Sequence, residues 1–289
     1  MGADLFQTSP AARAVYEAAD AVLGYGLSKV CFAGPEERLR DTRYSQPAIL
    51  VTSLACLAAA IESALVRARP GFMAGHSVGE FAALIVAGSL SFDDGLRLVQ
   101  ERARLMAEAG VRNPGTMVAV LGLDEAAVAQ ICAEADADVC NRNLPTQTVV
   151  GGTKEAVGRV VALAKERGAA RVIELNVSGA FHSRLMQPAE PALRHWVASL
   201  SVAMPAVPVV ANLAAAPFAS EAEIRAEIPL QVVSPVRWHE SVSFLAANGV
   251  THYIEFGPGR VLTGMVRRIV KDATVRNVNG AADLAGTPA

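Results

Sequence analysis

Between Thr116 and Ser178 the spacing of apolar residues switches repeatedly between two periods, and this order limits the possible folds more than any other feature of the chain. Alternation marks strands in "TMVAVLGL", "DVCNRN", "TQTVVGG" and "ARVIELNVS", while a period near 3.6 marks helices in "DEAAVAQICAEA" and "KEAVGRVVALAKERG". The resulting order, βαββαβ, is that of a ferredoxin-like unit. The flanks keep a different rhythm. Helical periodicity runs over Ser9 to Leu23 and Gln46 to Ala68, "GFMAGHS" reads as a short strand entering a turn, and Val78 to Ala87 follows as a helix. "SFDDGLRLVQERARLMAEAG" is a helix expected to start at a Ser/Asp cap and end at Gly110. Beyond the unit come a helix through "MQPAEPALRHWVASL", the strand "VPVVAN", a helix around "SVSFLAANG", the strand "HYIEF" and a final helix after "GPGRVLTG". The expectation is an α/β chain in which residues 115–181 form a small domain inserted into a larger one built from 1–114 and 182–289.

Composition narrows the function classes. With 289 residues, 52% of them hydrophobic, the chain can bury a full core. Its 26 basic and 28 acidic side chains leave a net charge of -2, so no global field favours nucleic acid or an anionic membrane. The apolar run from Ala48 to Leu65 is rich in alanine and broken by Thr52, Ser53 and Glu62, which suits a buried helix better than a membrane span. No basic-then-apolar leader opens the sequence, and Cys31, Cys56, Cys132 and Cys140 lack metal-ligand spacing. Buried thiols in a reducing cytoplasm, and no bound metal, are the expectation.

Gly75-His76-Ser77-Val78-Gly79 carries the chemistry. Gly-x-Ser-x-Gly between a strand and a helix fits a nucleophile elbow, a sharp turn that exposes the hydroxyl while the glycines permit close backbone packing. The backbone NH of Val78, at the helix start, points toward charge developing on an attacked carbonyl oxygen. An ordinary helix-capping serine is the plainer alternative. A serine hydroxyl needs a base to act as a nucleophile. Of the five histidines, His76 adjoins the serine but projects elsewhere from a sharp turn, and His195 sits in a helical run beside Trp196. His239 and His252 lie near Glu240 and Glu255, while His182 leaves the last strand of the inserted unit; these three stay open.

"GHSVGEFAAL", "YSQPAIL", "LVQERARLM", "GAFHSRLMQPA", "SPVRWHESV" and "EFGPGRVLTGMVRRI" occur in an order and at a spacing that resemble the malonyl-CoA:acyl carrier protein transacylases and the stand-alone acyltransferases of polyketide assembly lines. The resemblance runs over nearly the whole chain. It implies an α/β-hydrolase-like large domain with a ferredoxin-like insertion. Carried over position by position, it makes Ser77 the nucleophile and His182 the general base, with the main-chain carbonyl of Gln231 orienting the imidazole where other hydrolases use a carboxylate. It makes Arg102 the partner of the malonyl carboxylate, although Arg97, Glu101 and Arg104 around it read on their own as a solvated helix face. Gln46, Phe181 and Asn143 fall on positions lining the acyl site, with Gln147 beside them in the same loop; Leu144 and Thr146 depart from the small residues common there.

The implied reaction moves malonyl from coenzyme A to the phosphopantetheine thiol of an acyl carrier protein, in fatty acid or polyketide synthesis, without a bound cofactor. One part of the pattern has no counterpart. The family's opening strand and its "F-P-G-Q-G-S-Q" loop, whose glutamine supplies a second oxyanion NH, would align before "MGADLF". The expectation is that Met1 is an internal methionine of a longer, active protein; loss of one such donor costs on the order of 10²- to 10³-fold in rate. Two rival readings are an acyl hydrolase that clears carrier proteins and a weakened form that only binds them.

Overall fold

The computed structural model describes residues 1–285. In chain order the helices are α1 (Ala3–Thr8), α2 (Pro10–Leu23), α3 (Leu27–Ala33), α4 (Glu36–Arg40), α5 (Thr42–Glu62), α6 (Val78–Val86), α7 (Phe92–Arg112), α8 (Glu125–Ala135), α9 (Lys154–Glu166), α10 (Glu190–Ala198), α11 (Glu221–Gln231), α12 (Trp238–Ala247) and α13 (Val261–Ile269). The strands are β1 (Met73–Ala74), β2 (Thr116–Leu121), β3 (Asp138–Leu144), β4 (Gln147–Gly152), β5 (Arg171–Glu174), β6 (Val209–Val210), β7 (His252–Phe256) and β8 (Thr274–Val278). The chain divides into two compact units. The first comprises Met1–Ala103, Ala203–Val209 and the described residues from Leu245 onward; the second comprises Arg104–Val202 and Val210–Phe244.

The first unit is helix-rich. Ser9 caps α2 by accepting from the Ala12 amide, and Pro10 occupies the first turn, where its missing NH costs nothing. Tyr16 and Thr52, both fully buried, tie α2 to α5 through a 2.9 Å hydroxyl bond. α5 starts four residues before the expected Gln46 because Asp41 accepts from the Arg43 amide, and Pro47 lies inside the helix. This helix is long and apolar enough to cross a membrane, yet 61% of its apolar window is buried inside the protein. β7 and β8 pair in parallel, with Tyr253 opposite Val275. The strand β8 has no counterpart in the sequence reading, since "TVRNV" mixes polar and apolar residues without a clear period.

The second unit holds the βαββαβ segment as read. Its sheet has the order β3-β4-β2-β5, and every pairing is antiparallel. Alternation along β2 sorts the side chains: Val118 and Val120 join Val128, Ile131, Val157 and Val160 of α8 and α9, while Met117 and Ala119 join Cys140, Val149 and Ala180 on the opposite face. Asp124 and Thr153 cap α8 and α9. The helix expected over "MQPAEPALRHWVASL" begins as a 3-10 segment, Arg184–Ala189, and turns α-helical at Glu190; Pro188 and Pro191 remove two of the amides a continuous α-helix would need. α11, with Pro229 inside it, was not legible as a helix.

Candidate active site

The turn at Ser77 is built by its glycines. A Cβ at Gly75 would lie 2.0 Å from the carbonyl carbon of Gly79, so only a bare backbone permits the chain to double back there. Ser77 itself has φ 52° and ψ -111°, a conformation costing about 1–3 kcal/mol for a residue with a side chain and held only where its surroundings fix it. Its hydroxyl does not cap the helix that follows. The plainer reading of Ser77 as a capping serine therefore fails, and the hydroxyl is left for other partners.

One of those partners is Arg102. Its Nη2 donates to Ser77 Oγ at 3.0 Å, and its Nη1 donates to Gln46 Oε1. Gln46 in turn donates from Nε2 to Thr42 Oγ1 at 2.7 Å, so Thr42, Gln46, Arg102 and Ser77 form one polar chain within the first unit. Arg102 is 1% exposed, and its guanidinium carbon lies 5.4 Å from the ring centre of Phe81. Burial lowers its pKa to about 10, partly opposed by the carboxylate of Glu80, and the group stays protonated at neutral pH. The solvated-face reading of this helix holds for Arg97 and Arg104, which are exposed, and fails for Arg102.

The signal for that burial was present. Arg102 stands three and four residues from Val99, Leu98, Leu105 and Met106, all buried, so it lies on the apolar stripe of α7. Glu80, fully buried in the first turn of α6, was missed. A lone carboxylate inside "VGEFAALIV" is the feature that marks it.

The second unit contains His182, Gln231, Phe181 and Asn143. His182 is 4% exposed, and its Nδ1 lies 2.7 Å from the Gln231 carbonyl, itself fully buried at the end of α11. A carbonyl only accepts, so Nδ1 carries the proton and Nε2 carries the lone pair of the neutral ring. His182 also has a positive φ, 60°, the second non-glycine strain among the candidate residues. By contrast His195 and His252 are exposed, and His252 is engaged with Thr251; His76 and His239 are half-buried. Phe181 packs beside Met117, Ala119 and Ala180 on one face of the sheet, and Asn143 is buried on β3. Among the described residues, no group of three or more His, Cys, Asp or Glu side chains could hold a metal ion.

The first unit thus presents an elbow serine beside a buried guanidinium and the second an imidazole fixed by a main-chain carbonyl, and the chain belongs to the acyl transferase domain family, which it matches over residues 1–287. A more particular likeness follows from its relatives. It is 40% identical over 274 residues to the malonyl CoA-acyl carrier protein transacylase of Bacillus subtilis (strain 168), covering 93% of this chain and 86% of that protein. The solved malonyl CoA-acyl carrier protein transacylase of Coxiella burnetii superimposes with a TM-score of 0.93 at 35% identity, covering 98% of this chain and 90% of that one. A malonyl-transacylase solved in complex with its type II polyketide-synthase acyl-carrier protein gives a TM-score of 0.93 at 38% identity, covering 98% and 92%. The fold class is accordingly the α/β-hydrolase-like one with a ferredoxin-like insertion.

Proposed function

We propose that this protein transfers malonyl groups from malonyl-CoA to the phosphopantetheine thiol of an acyl carrier protein, through an ester on Ser77. The observation that carries the reading is the buried Arg102 guanidinium, 3.0 Å from Ser77 Oγ. A malonyl group esterified to that oxygen ends in a carboxylate two carbons from the ester carbonyl carbon, within reach of the same guanidinium. Each charge-assisted hydrogen bond to the carboxylate contributes roughly 1.5–3 kcal/mol, which a neutral acetyl group has no anionic acceptor to supply.

In the proposed sequence, His182 Nε2 takes the Ser77 proton as Oγ bonds to the thioester carbon. The carbon–sulfur bond then breaks, and His182 returns the proton to the departing thiolate of coenzyme A. In the second half His182 takes the proton from the carrier's thiol, whose sulfur attacks the ester, and Ser77 leaves with that proton. The Val78 amide, first of α6, is the assigned oxyanion donor. Gln46 holds Arg102 in place, and Phe181 and Asn143 are assigned to the acyl pocket. No cofactor or metal enters the scheme, nucleic acid and membrane are not partners, and the cytoplasm is the proposed location. We also take residues 115–181, which hold the whole four-stranded sheet, as an insertion between 1–114 and 182–289.

Incubation with radiolabelled malonyl-CoA, followed by peptide mapping, tests the reading. The label is expected on Ser77, absent in Ser77→Ala, and chased by a phosphopantetheinylated carrier protein. Release of free malonate as the main product would favour a hydrolase instead. A label that persists in Ser77→Ala would sink the assignment.

A further inference from the structure

The strained backbone at His182 needs something to hold it, and the second unit shows what does. Two positions along the chain, the Arg184 amide donates to Asp138 Oδ2 at 2.9 Å, and Arg184 Nε reaches both carboxylate oxygens of Asp138 at 3.0 Å. Asp138 is the first residue of β3 and pairs with Gly151 of β4, so its position is set by the sheet. The carbonyl acceptor is tied to the same strand. Beyond Gln231 the chain runs to Val236, whose NH donates to the Cys140 carbonyl at 2.9 Å and whose carbonyl accepts from the Arg142 NH at 2.8 Å. Side chains reinforce that end: Glu240 Oε1 accepts from Arg142 Nη1 at 3.2 Å and from Arg237 Nε at 3.0 Å.

We infer that Asp138 is a positioning residue: by anchoring the Arg184 amide to β3, it registers the His182 ring against the Gln231 carbonyl, which Val236 anchors to the same strand. The inference rests on the reading of His182 as the base, and it adds a residue to which that reading gives no role. A single strand then fixes both ends of the Nδ1–H···O bond, and so fixes which ring nitrogen carries the proton. Loosening the Asp138 end lets the ring turn away from the carbonyl. The proton is then shared between the two nitrogens, and the fraction of rings with a basic Nε2 falls.

Nitrogen-15 NMR of the neutral His182 ring, alongside malonyl-transfer kinetics, tests this in the full chain. Wild-type protein should show the Nδ1–H form. In Asp138→Ala the Nε2–H form should rise and kcat fall about tenfold with KM within twofold, since misplacement without loss of binding acts on the chemical step. Asp138→Asn, which keeps an oxygen for the Arg184 amide, should restore most of both signals. Asp138→Glu keeps the charge and moves the acceptor by one methylene; it should lie between, and it serves if the alanine variant does not fold. Asp136→Ala removes only a surface partner of the Arg184 guanidinium and should leave both readouts unchanged. An unaltered tautomer in a folded Asp138→Ala or Asp138→Glu protein overturns the inference, even with malonyl still found on Ser77. A wild-type protein that never labels overturns the proposed function instead, and leaves the tautomer result to stand on its own.

Discussion

The two candidate clusters, one in each unit, are held by different kinds of contact. In the first unit Ser77 meets a side chain, the guanidinium of Arg102, which is itself held by the side chain of Gln46. In the second, His182 meets a peptide carbonyl at the end of a helix. A side-chain partner carries its chemistry in its identity, so substitution removes it. A main-chain partner depends on where the backbone runs, so substitution at Gln231 leaves the acceptor in place. The first half should be sensitive to what a residue is, and the second to how the chain is anchored.

His182→Ala should show the largest effect, a loss of roughly 10⁴-fold or more in malonyl transfer, because the proposed function makes this imidazole the base that a serine hydroxyl requires. Transfer reduced by less than tenfold would move the role of base to another group and break the comparison. Next comes Arg102→Ala. It removes two charge-assisted bonds, so kcat/KM for malonyl-CoA should fall on the order of 10²- to 10³-fold while acetyl-CoA becomes the relatively better substrate. Equal losses for both thioesters would mean that Arg102 supports Ser77 alone and selects nothing.

Gly75→Ala tests the frame rather than the chemistry. The added methyl meets the Gly79 backbone, so the melting temperature should drop by several degrees, with about 2–4 kcal/mol lost. An unchanged melting temperature would show that the elbow relaxes freely. Gln231→Ala should show the smallest change, a transfer rate within about threefold of wild type, since the acceptor is the carbonyl. A loss comparable to that of His182→Ala would mean that the amide side chain, too, takes part.

The same difference explains what the sequence made legible. The βαββαβ order could be read because each strand of that segment alternates and each helix opens at a Asp or Thr cap. Ser77 could be read because the glycines that its turn requires are part of the chemical pattern. Arg102 was obscured by its charged neighbours, of which Arg97 and Arg104 are exposed, even though its spacing from Val99 and Met106 placed it on the buried stripe. His182 could not be separated from His239 and His252 without the family resemblance, because its defining partner is a carbonyl, which every residue has. Asp138 was invisible for a related reason: its bond to the Arg184 amide spans 46 positions and involves a backbone group. β8, α11 and the 3-10 start before α10 were lost to mixed patterns and internal prolines.

The positive φ at Ser77 has a consequence for what this enzyme can become. A β-branched side chain is poorly tolerated in that region of backbone space, whereas serine and cysteine differ only in the atom beyond Cβ. Threonine, with the same hydroxyl, is therefore the poorer replacement, and a thiol the better one. Evolutionary exchange of the atom beyond Cβ at this position is gated by torsional fit before reactivity is ever tried.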